Sequence, residues 1–498
     1  MPLVTKPLPL YNKCKRAMPM SGVWGWMLAA LVGCAVGPNY RQPDLASSEK
    51  WSRLDSANDA LRYTDKAESL RQWWLKLDDL LLSEFVDEAL QANLDLRKAQ
   101  ARLREVRARR AVAASAYYPN LSASGSASRR QSTKSAGMNS GGTTSNAFSA
   151  GFDASWEADI FGGVRRSVEA ANADQASAEA SLEDTRVSLV AEVARNYFEV
   201  RSFQIRLAIA RSNLESQTET LQLTEFRSQA GLVSAQDVEQ AKSIREQTLA
   251  QLPSLESSLA SSMHSLDILL GKIPGSLQTR LSSEAKLPEM PSQIAVGIPA
   301  DTLRQRPDIR VAERKLAAET ARVGVATAAL YPSLKLSGSV GIEALTQASM
   351  GNGLGFFYSL LAGVTAPIFQ GGRLRAQLEA QDAIREQALL HYEQAVLLAL
   401  REVEDVLVAL VRNRERAEAL ERAVEAAKNA SLLARQRYSA GVIDFQPVVD
   451  TERSVLSLED SLASTRAEGV FALIRLYKAL GGGWFPETEP PQAGKENP

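Results

Sequence analysis

The sequence of 498 residues predicts an α+β membrane protein in which short alternating strands are joined to very long helices. Three observations support this fold class. Short motifs recur in the same order about 210 residues apart, four segments alternate apolar and polar residues, and two long proline-free segments repeat apolar residues every seven positions. Two Cys, two His and a net charge of −1 supply neither a metal or catalytic cluster nor a basic surface for nucleic acid, so we do not expect an enzyme.

Residues 1–33 form a predicted lipoprotein signal peptide. A basic segment that ends at Arg16 precedes a short apolar stretch, which lacks the roughly 20 residues of a transmembrane helix. Leu31-Val32-Gly33 before Cys34 resembles the bacterial lipobox, which predicts S-diacylglycerol and N-acyl groups on Cys34 and no other cofactor. Ala35 follows in place of Asp, which indicates transfer to the outer membrane. An ordinary signal peptide with an incidental cysteine is the alternative.

Paired motifs divide the chain into two copies of one unit. Residues 93–97 match residues 306–310, and residues 118–121 match residues 331–334, both at an offset of 213. An Ala-Gly pair and a Leu-Gly pair recur at an offset of 210. The predicted organisation after the signal peptide is an N-terminal segment (34–85), a first copy (86–271), a linker (272–297), a second copy (298–484) and a disordered tail (485–498).

Each copy contains two predicted strands, about 118–130 and 147–160 in the first copy and about 332–343 and 356–369 in the second. In the clearest of them, apolar residues alternate with small or polar ones from Phe148 to Ile160, which gives one apolar and one polar face. The length and pattern fit a membrane β-barrel, although strands of a soluble sandwich can alternate in the same way. Four strands cannot close a barrel, so the barrel interpretation requires several copies of the chain.

Each copy ends in a long helical hairpin. Apolar residues recur seven apart from Val193 to Leu221 and from Leu389 to Val424, which predicts left-handed supercoiling. No proline lies between Gly163 and Ala230 or between Gly372 and Ala440, so each first helix would span about 100 Å at about 1.5 Å per residue. An Ala-Gly pair ends each of these helices, and Pro253 predicts a bend in the first returning helix.

Three motifs resemble those of a known family. Residues 298–310 resemble the inter-repeat signature of TolC-type outer-membrane efflux factors, and residues 34–40 resemble the mature N-terminus of their lipoprotein (NodT- and OprM-like) branch. Residues 366–373 fit the family's second strand-to-helix junction, and the resemblance runs from Cys34 to about Trp484. It implies a trimer in which four strands per chain make a twelve-stranded outer-membrane barrel, continuous with a periplasmic α-helical barrel.

The resemblance also implies a function and partners. The function is a passive exit duct for drugs or other small solutes in a tripartite efflux system, lipid-anchored in the outer membrane of a Gram-negative bacterium and extending into the periplasm. The implied partners are two further copies of the chain, a periplasmic adaptor, an inner-membrane resistance-nodulation-division pump and outer-membrane lipid, without nucleic acid. Type I protein secretion and a periplasmic coiled-coil lipoprotein without a pore remain the alternatives. An adaptor is disfavoured, because it needs one hairpin and this chain has two.

Acidic residues beside the hairpin turns are the candidate periplasmic gate. The family closes this end with acidic rings, and Asp450 occupies the second position of a two-aspartate motif whose first position is Pro447 here. Asp237 lies at the matching place in the first copy, and Asp444 is nearby. Three symmetry-related carboxylates would attract cations to a narrow aperture. An aspartate that only stabilises a helix N-terminus is the alternative.

The hairpin turns themselves are candidate contacts for the adaptor. Apolar residues exposed at a turn suit a partner surface, although plain helix capping also explains the turn glycines. The predicted contact residues are Ala230, Gly231, Leu232, Val233, Ser234, Ala440, Gly441, Val442 and Ile443.

Overall fold

A computed structural model describes residues 35–43, 61–63, 70–131, 144–283, 286–288, 294–296, 306–346 and 355–483. Cys34, the predicted signal peptide and the predicted tail lie outside these residues. The described chain is mostly helical, with one four-stranded antiparallel sheet and one short parallel pair. It divides into two compact units, one made of the described residues within 35–38, 114–167 and 323–378 and the other of the remaining described residues. Both halves of the sequence contribute to both units.

The elements follow the same order in the two halves of the chain, where one or two helices precede two strands and a helical hairpin. The helix that contains residue 85 begins earlier, because Asp79 accepts a hydrogen bond from the Leu82 amide (3.0 Å) and caps its first turn. The elements are β1 (Leu61–Tyr63), a 3₁₀ helix (Trp73–Leu77), α1 (Leu80–Ala92), α2 (Leu94–Ser115), β2 (Asn120–Gln131), β3 (Thr144–Ala158), α3 (Gly163–Gln229), α4 (Ala235–Leu269), β4 (Ile294–Val296), α5 (Pro307–Ala328), β5 (Ser333–Ala344), β6 (Phe356–Thr365), α6 (Arg373–Ser439) and α7 (Gln446–Ala479).

The four-stranded sheet has the order β2-β3-β5-β6, so its central pair joins the two halves of the chain, with Phe152 opposite Val340. The observed strand ends differ from the predicted ones by at most four residues. The largest difference is at the end of β6, which stops at Thr365 instead of residue 369. Pro367 has no N–H to donate to the ladder, so the strand cannot continue through it.

The two faces of the sheet differ in chemistry. Residues directly opposite in antiparallel strands share a face, and one row runs Ala123, Phe152, Val340 and Tyr358 across all four strands. The rows above and below it on this face are also apolar, and we call this the apolar face. Serines occupy much of the other face, which we call the serine face. Every residue of β2 and nine of the ten residues of β6 are exposed, so within the described chain these strands are not half of a packed sandwich.

The helix unit contains the buried core. The predicted seven-residue repeat in α3 is buried except at the half-buried Leu214, with Val193 and Val200 fully covered and Leu207 7% exposed. Full burial of one such side chain stabilises a fold by roughly 1.5–3 kcal/mol. Pro253 lies within α4 without ending it. Both α3 and α6 contain 67 residues and begin and end within one residue of the predicted bounds.

A buried arginine ties the N-terminal helix α1 to α3. Arg201 is 2% exposed and donates to the Tyr197 hydroxyl (3.2 Å) and to the Ser283 carbonyl (2.7 Å). The Tyr197 hydroxyl in turn donates to the Asp79 carboxylate that caps α1 (2.6 Å). Burial, together with the bond to Asp79, raises the pKa of Tyr197 above its ordinary value, so the hydroxyl stays a donor.

Candidate functional site

The two hairpin turns have the same backbone geometry. Gly231 has φ +72° and Gly441 has φ +76°, a left-handed conformation that glycine adopts without strain. The amide of Leu232 donates to the carbonyl five residues back (2.9 Å), and that of Val442 does the same (2.9 Å). Both turns are therefore Schellman motifs, which end α3 and α6.

The turns expose only part of their apolar residues. Leu232 is 67% exposed and Val442 is 71% exposed, as a partner surface requires. Their neighbours Val233 and Ile443 are half-buried and pack against a cluster of apolar side chains from all four hairpin helices. That cluster contains Leu221, Ala241, Ile244, Ala434, Tyr438, Phe445, Val448 and Val449. Seven of the nine predicted contact residues are thus exposed, and Val233 and Ile443 are not.

The three candidate gate aspartates have different surroundings. Asp237 forms a capping box, because its carboxylate accepts from the Ser234 amide (3.0 Å) while the Ser234 hydroxyl accepts from the Asp237 amide (3.3 Å). Asp450 is exposed on α7 and accepts from the Gln446 amide group (3.0 Å). Asp444 is exposed in the turn before α7. Asp450 and Asp444 therefore present their carboxylates to solvent, whereas Asp237 has a structural bond.

Arg227 links the two hairpins beside the turns, and sequence reasoning missed it. Its guanidinium lies 4.6 Å from the ring centre of Tyr438 and donates to the Tyr438 carbonyl. Tyr438 also contacts Phe445, with ring centres 5.2 Å apart. A basic residue in the last turn of a helix is ordinary, so nothing in the sequence distinguishes Arg227 from Arg437 at the same place in α6.

A polar layer lies inside the hairpin bundle near the turns. The Glu452 carboxylate is buried and accepts from the Thr220 hydroxyl (2.7 Å), and the side-chain amide of Gln217 one turn away has no partner among the described residues. Burial raises the pKa of Glu452 above its ordinary value, against the smaller opposing effects of Thr220 and Arg435. Protonated Glu452 therefore stabilises the folded state. This stabilisation is complete below the ordinary pKa of a glutamate and is lost as the pH rises through the raised pKa of the folded state. The packing of α7 on α3 at this layer is therefore favoured by acid and weakens as the pH rises.

The residues that follow Cys34 dock beside the start of α3 and the end of α5. The Val36 amide donates to the Phe161 carbonyl (3.1 Å), and Arg166 donates from Nε to the Val36 carbonyl (3.2 Å). Gly37 has φ +90°, and a Cβ there would lie 2.5 Å from the Gly324 Cα. This clamp fixes the polypeptide within a few residues of the predicted acylation position, at the end of the sheet where the helices begin.

The serine face of the sheet is lined by hydroxyl groups that bond across strands. Ser126 and Ser149 are hydrogen-bonded (2.8 Å), and Ser339 and Ser359 form an equivalent pair (2.7 Å). The Ser124 hydroxyl donates to Asp153 on the same face (2.9 Å). These hydroxyl groups satisfy one another and keep much of this face polar, although Phe357 and Leu361 of β6 also lie on it. A largely polar face suits the wall of an aqueous passage.

None of the helices among the described residues combines the length and apolarity needed to cross a membrane. Within the same ranges, no three His, Cys, Asp or Glu side chains are placed to hold one metal ion.

The inter-repeat motif has a structural role where it is described. Arg306 is 8% exposed and pairs with Asp308 and Glu402 (both 2.8 Å), while it donates to the Ala479 carbonyl (2.8 Å). Burial lowers its pKa, but the two carboxylates outweigh burial and raise it, so the ion pairs persist. The motif thus fastens the start of α5 to α6 and to the end of α7.

A four-stranded sheet with one apolar and one hydroxyl-lined face, joined to two helical hairpins with paired glycine turns, defines a class of outer-membrane channels. The chain belongs to the outer membrane efflux protein family, whose model matches residues 85–272 and 298–482. It is an outer-membrane channel component of tripartite efflux systems of Gram-negative bacteria.

Individual relatives agree with this assignment. Nodulation protein T of Rhizobium leguminosarum bv. trifolii is 32% identical over 458 residues, 92% of this chain and 96% of that protein. The pyoverdine export outer membrane protein OpmQ of Pseudomonas aeruginosa is 32% identical over 466 residues, with the same coverage of each. The solved structure of the outer-membrane channel OprN is 37% identical and superposes with a TM-score of 0.85 over 91% of this chain and 100% of that one.

Proposed function

We propose that three copies of this chain form one passive exit duct for small solutes, with their twelve strands closing a barrel in the outer membrane. The sheet carries this proposal. Within the described chain, β2 and β6 each pair on one side only, and unpaired strand edges cannot face lipid. The apolar face is exposed, with Leu360 at 85% and Tyr358 at 79%. Neighbouring copies would pair the edges, and lipid would cover the apolar face.

We propose the same trimer for the hairpins, as the periplasmic part of the duct built from two copies of one unit. The equal element order and equal lengths of α3 and α6 support the repeat. Exposed leucines on α6, among them Leu397 at 65% and Leu432 at 56%, support contact with a second copy.

The partners in this proposal are a periplasmic adaptor and a resistance-nodulation-division pump of the inner membrane. Leu232 and Val442 would contact the adaptor, since both are exposed at the hairpin turns. Asp450 and Asp444 would line the closed aperture, with Asp237 contributing less because of its capping bonds. The duct itself would move solutes passively, and the pump would select them.

Purified protein in a planar bilayer tests this function. We expect heat-resistant trimers on gels and single-channel conductance, because the serine face would enclose water. A protein that remains trimeric without conducting would contradict the duct and favour a coiled-coil lipoprotein without a pore.

A lipid on Cys34 is part of the proposal, and its removal is the first mutational prediction. The clamp at Val36 and Gly37 holds the neighbouring residues at the helix end of the sheet, which suits acyl chains in the inner leaflet. Cys34→Ser is expected to abolish incorporation of radioactive palmitate. Label that survives on the variant would contradict acylation at this position. Export of the variant to the outer membrane would not contradict it, because the proposed barrel supplies its own attachment to the membrane.

A further inference from the structure

The apolar face of the sheet carries one charged residue among the described strands. Arg129 lies opposite Asn146, two residues beyond the Ala127–Phe148 pair on the same face. Its neighbour Arg130 lies opposite Ser145 and belongs to the serine face. Both residues are at the hairpin end of the sheet, away from the helices and from the clamped N-terminal segment.

Arg129 has no carboxylate to neutralise it on this face. The sequence contains no acidic residue between Glu105 and Asp153, and Asp153 lies on the serine face beside Ser124. Glu343 at the end of β5 also lies on the serine face, opposite Ser149. No described residue forms an ion pair with Arg129. The exposed guanidinium is therefore available to an anion from outside the chain.

The level of Arg129 along the strands matches a membrane surface. Trp156 and Asn146 are ten residues apart on the same face of β3, and at about 3.4 Å per residue and a tilt of about 40° they differ in height by roughly 26 Å. The apolar band of a membrane barrel is about 25 Å tall with aromatic residues at both edges. Trp156 would mark the inner edge and Phe148 the outer edge, so Arg129 would lie just beyond the outer edge, at the headgroups.

We propose that Arg129 binds a phosphate group of the outer-leaflet lipid, so that each trimer holds three phosphorylated glycolipids around the barrel. The inference rests on the barrel proposed above, which sets the direction of the strands. The planar guanidinium matches a phosphate geometrically and forms charge-assisted hydrogen bonds with it. The lipid would thereby contact the outer end of β2, where this strand would meet a neighbouring copy in the proposed barrel.

Native mass spectrometry of the purified trimer in a neutral detergent tests this proposal, with bisphosphorylated lipid A and dephosphorylated lipid A as the two probes. We expect the unaltered trimer to prefer the phosphorylated lipid. Arg129→Gln should weaken its binding roughly tenfold, the effect of losing one charge-assisted bond, and should leave the binding of dephosphorylated lipid A unchanged. Arg129→Lys should restore most of the binding.

Arg130→Gln is the matched control, because it removes the same charge at the next position but from the serine face. Equal losses in the two variants would overturn the proposal, since they would show general attraction to the hairpin. Equal binding of the two lipids by the unaltered trimer would also overturn the proposal, and this outcome does not depend on whether Arg129→Gln assembles. Displacement of the bound phosphorylated lipid A by equimolar inorganic phosphate would overturn it as well. A trimer that conducts but fails these tests refutes only the lipid site, whereas a protein that does not conduct refutes the duct itself.

Discussion

Phe152→Arg is expected to reduce the trimer in the outer membrane at least tenfold. Phe152 is 54% exposed and lies on the apolar face midway between Trp156 and Phe148, at the predicted middle of the bilayer. An arginine that faces lipid at this depth costs about 2–4 kcal/mol per chain, and each trimer would contain three of them. The measurement is the amount of heat-resistant trimer in the outer-membrane fraction at matched synthesis.

Ser155→Arg is the control for this substitution. Ser155 lies on the same strand, opposite Asn120 and Ser337 on the serine face, so its side chain would point to the aqueous interior. We expect near-normal trimer yield. Similar losses in both variants would indicate that β3 is not in a membrane, and a loss confined to Ser155→Arg would indicate the opposite register.

Asp450→Ala is expected to abolish block of the channel by hexamminecobalt(III) added on the periplasmic side. Three Asp450 carboxylates within about 10 Å of one another would repel by under 1 kcal/mol per pair in water, and more where water is restricted. A trivalent cation relieves this repulsion and would plug the aperture. The exposed Asp450 lies outside the apolar cluster at the hairpin ends, so the trimer should assemble normally. Single-channel conductance titrated with the cation is the measurement.

The other two aspartates give graded controls. Asp237→Ala should leave most of the block, because the Asp237 carboxylate already bonds Ser234, and should instead destabilise α4 by about 1 kcal/mol through loss of the cap. Unchanged block in Asp450→Ala would contradict its assignment to the gate and direct attention to Asp444.

The sequence predicts the long helices closely because their signal is repeated many times. Seven-residue spacing in α3 and α6, together with glycines that end both helices, leaves little freedom in their bounds. The strand faces are also predictable, since a period of two assigns every residue of β3 to one face or the other. The sequence does not predict the start of α1 at Leu80, because Asp78 and Asp79 are adjacent and either could cap the helix.

The sequence carries no local signal for contacts between residues that are far apart in the chain. Three residues of β1 pair in parallel with three of β4 across more than two hundred positions, and no local pattern predicts such a contact. The clamp of Arg166 on Val36 and the burial of Glu452 against Thr220 also join residues far apart in the chain, so no local pattern predicts them. Candidate gate residues could be named, but the capping bonds that distinguish Asp237 from Asp450 required coordinates.

The equal lengths of α3 and α6 restrict how this chain can change in evolution. One residue inserted into α3 alone would rotate everything beyond it by about 100° and advance it by about 1.5 Å, so that Arg227 would miss Tyr438 and the turns would stand at different levels. Seven residues inserted into one hairpin would keep its apolar stripe but would still separate the turns by about 10 Å. A longer or shorter relative should therefore carry matched insertions or deletions in both halves of the chain. The length of α3 thus constrains the length of α6, and the reverse.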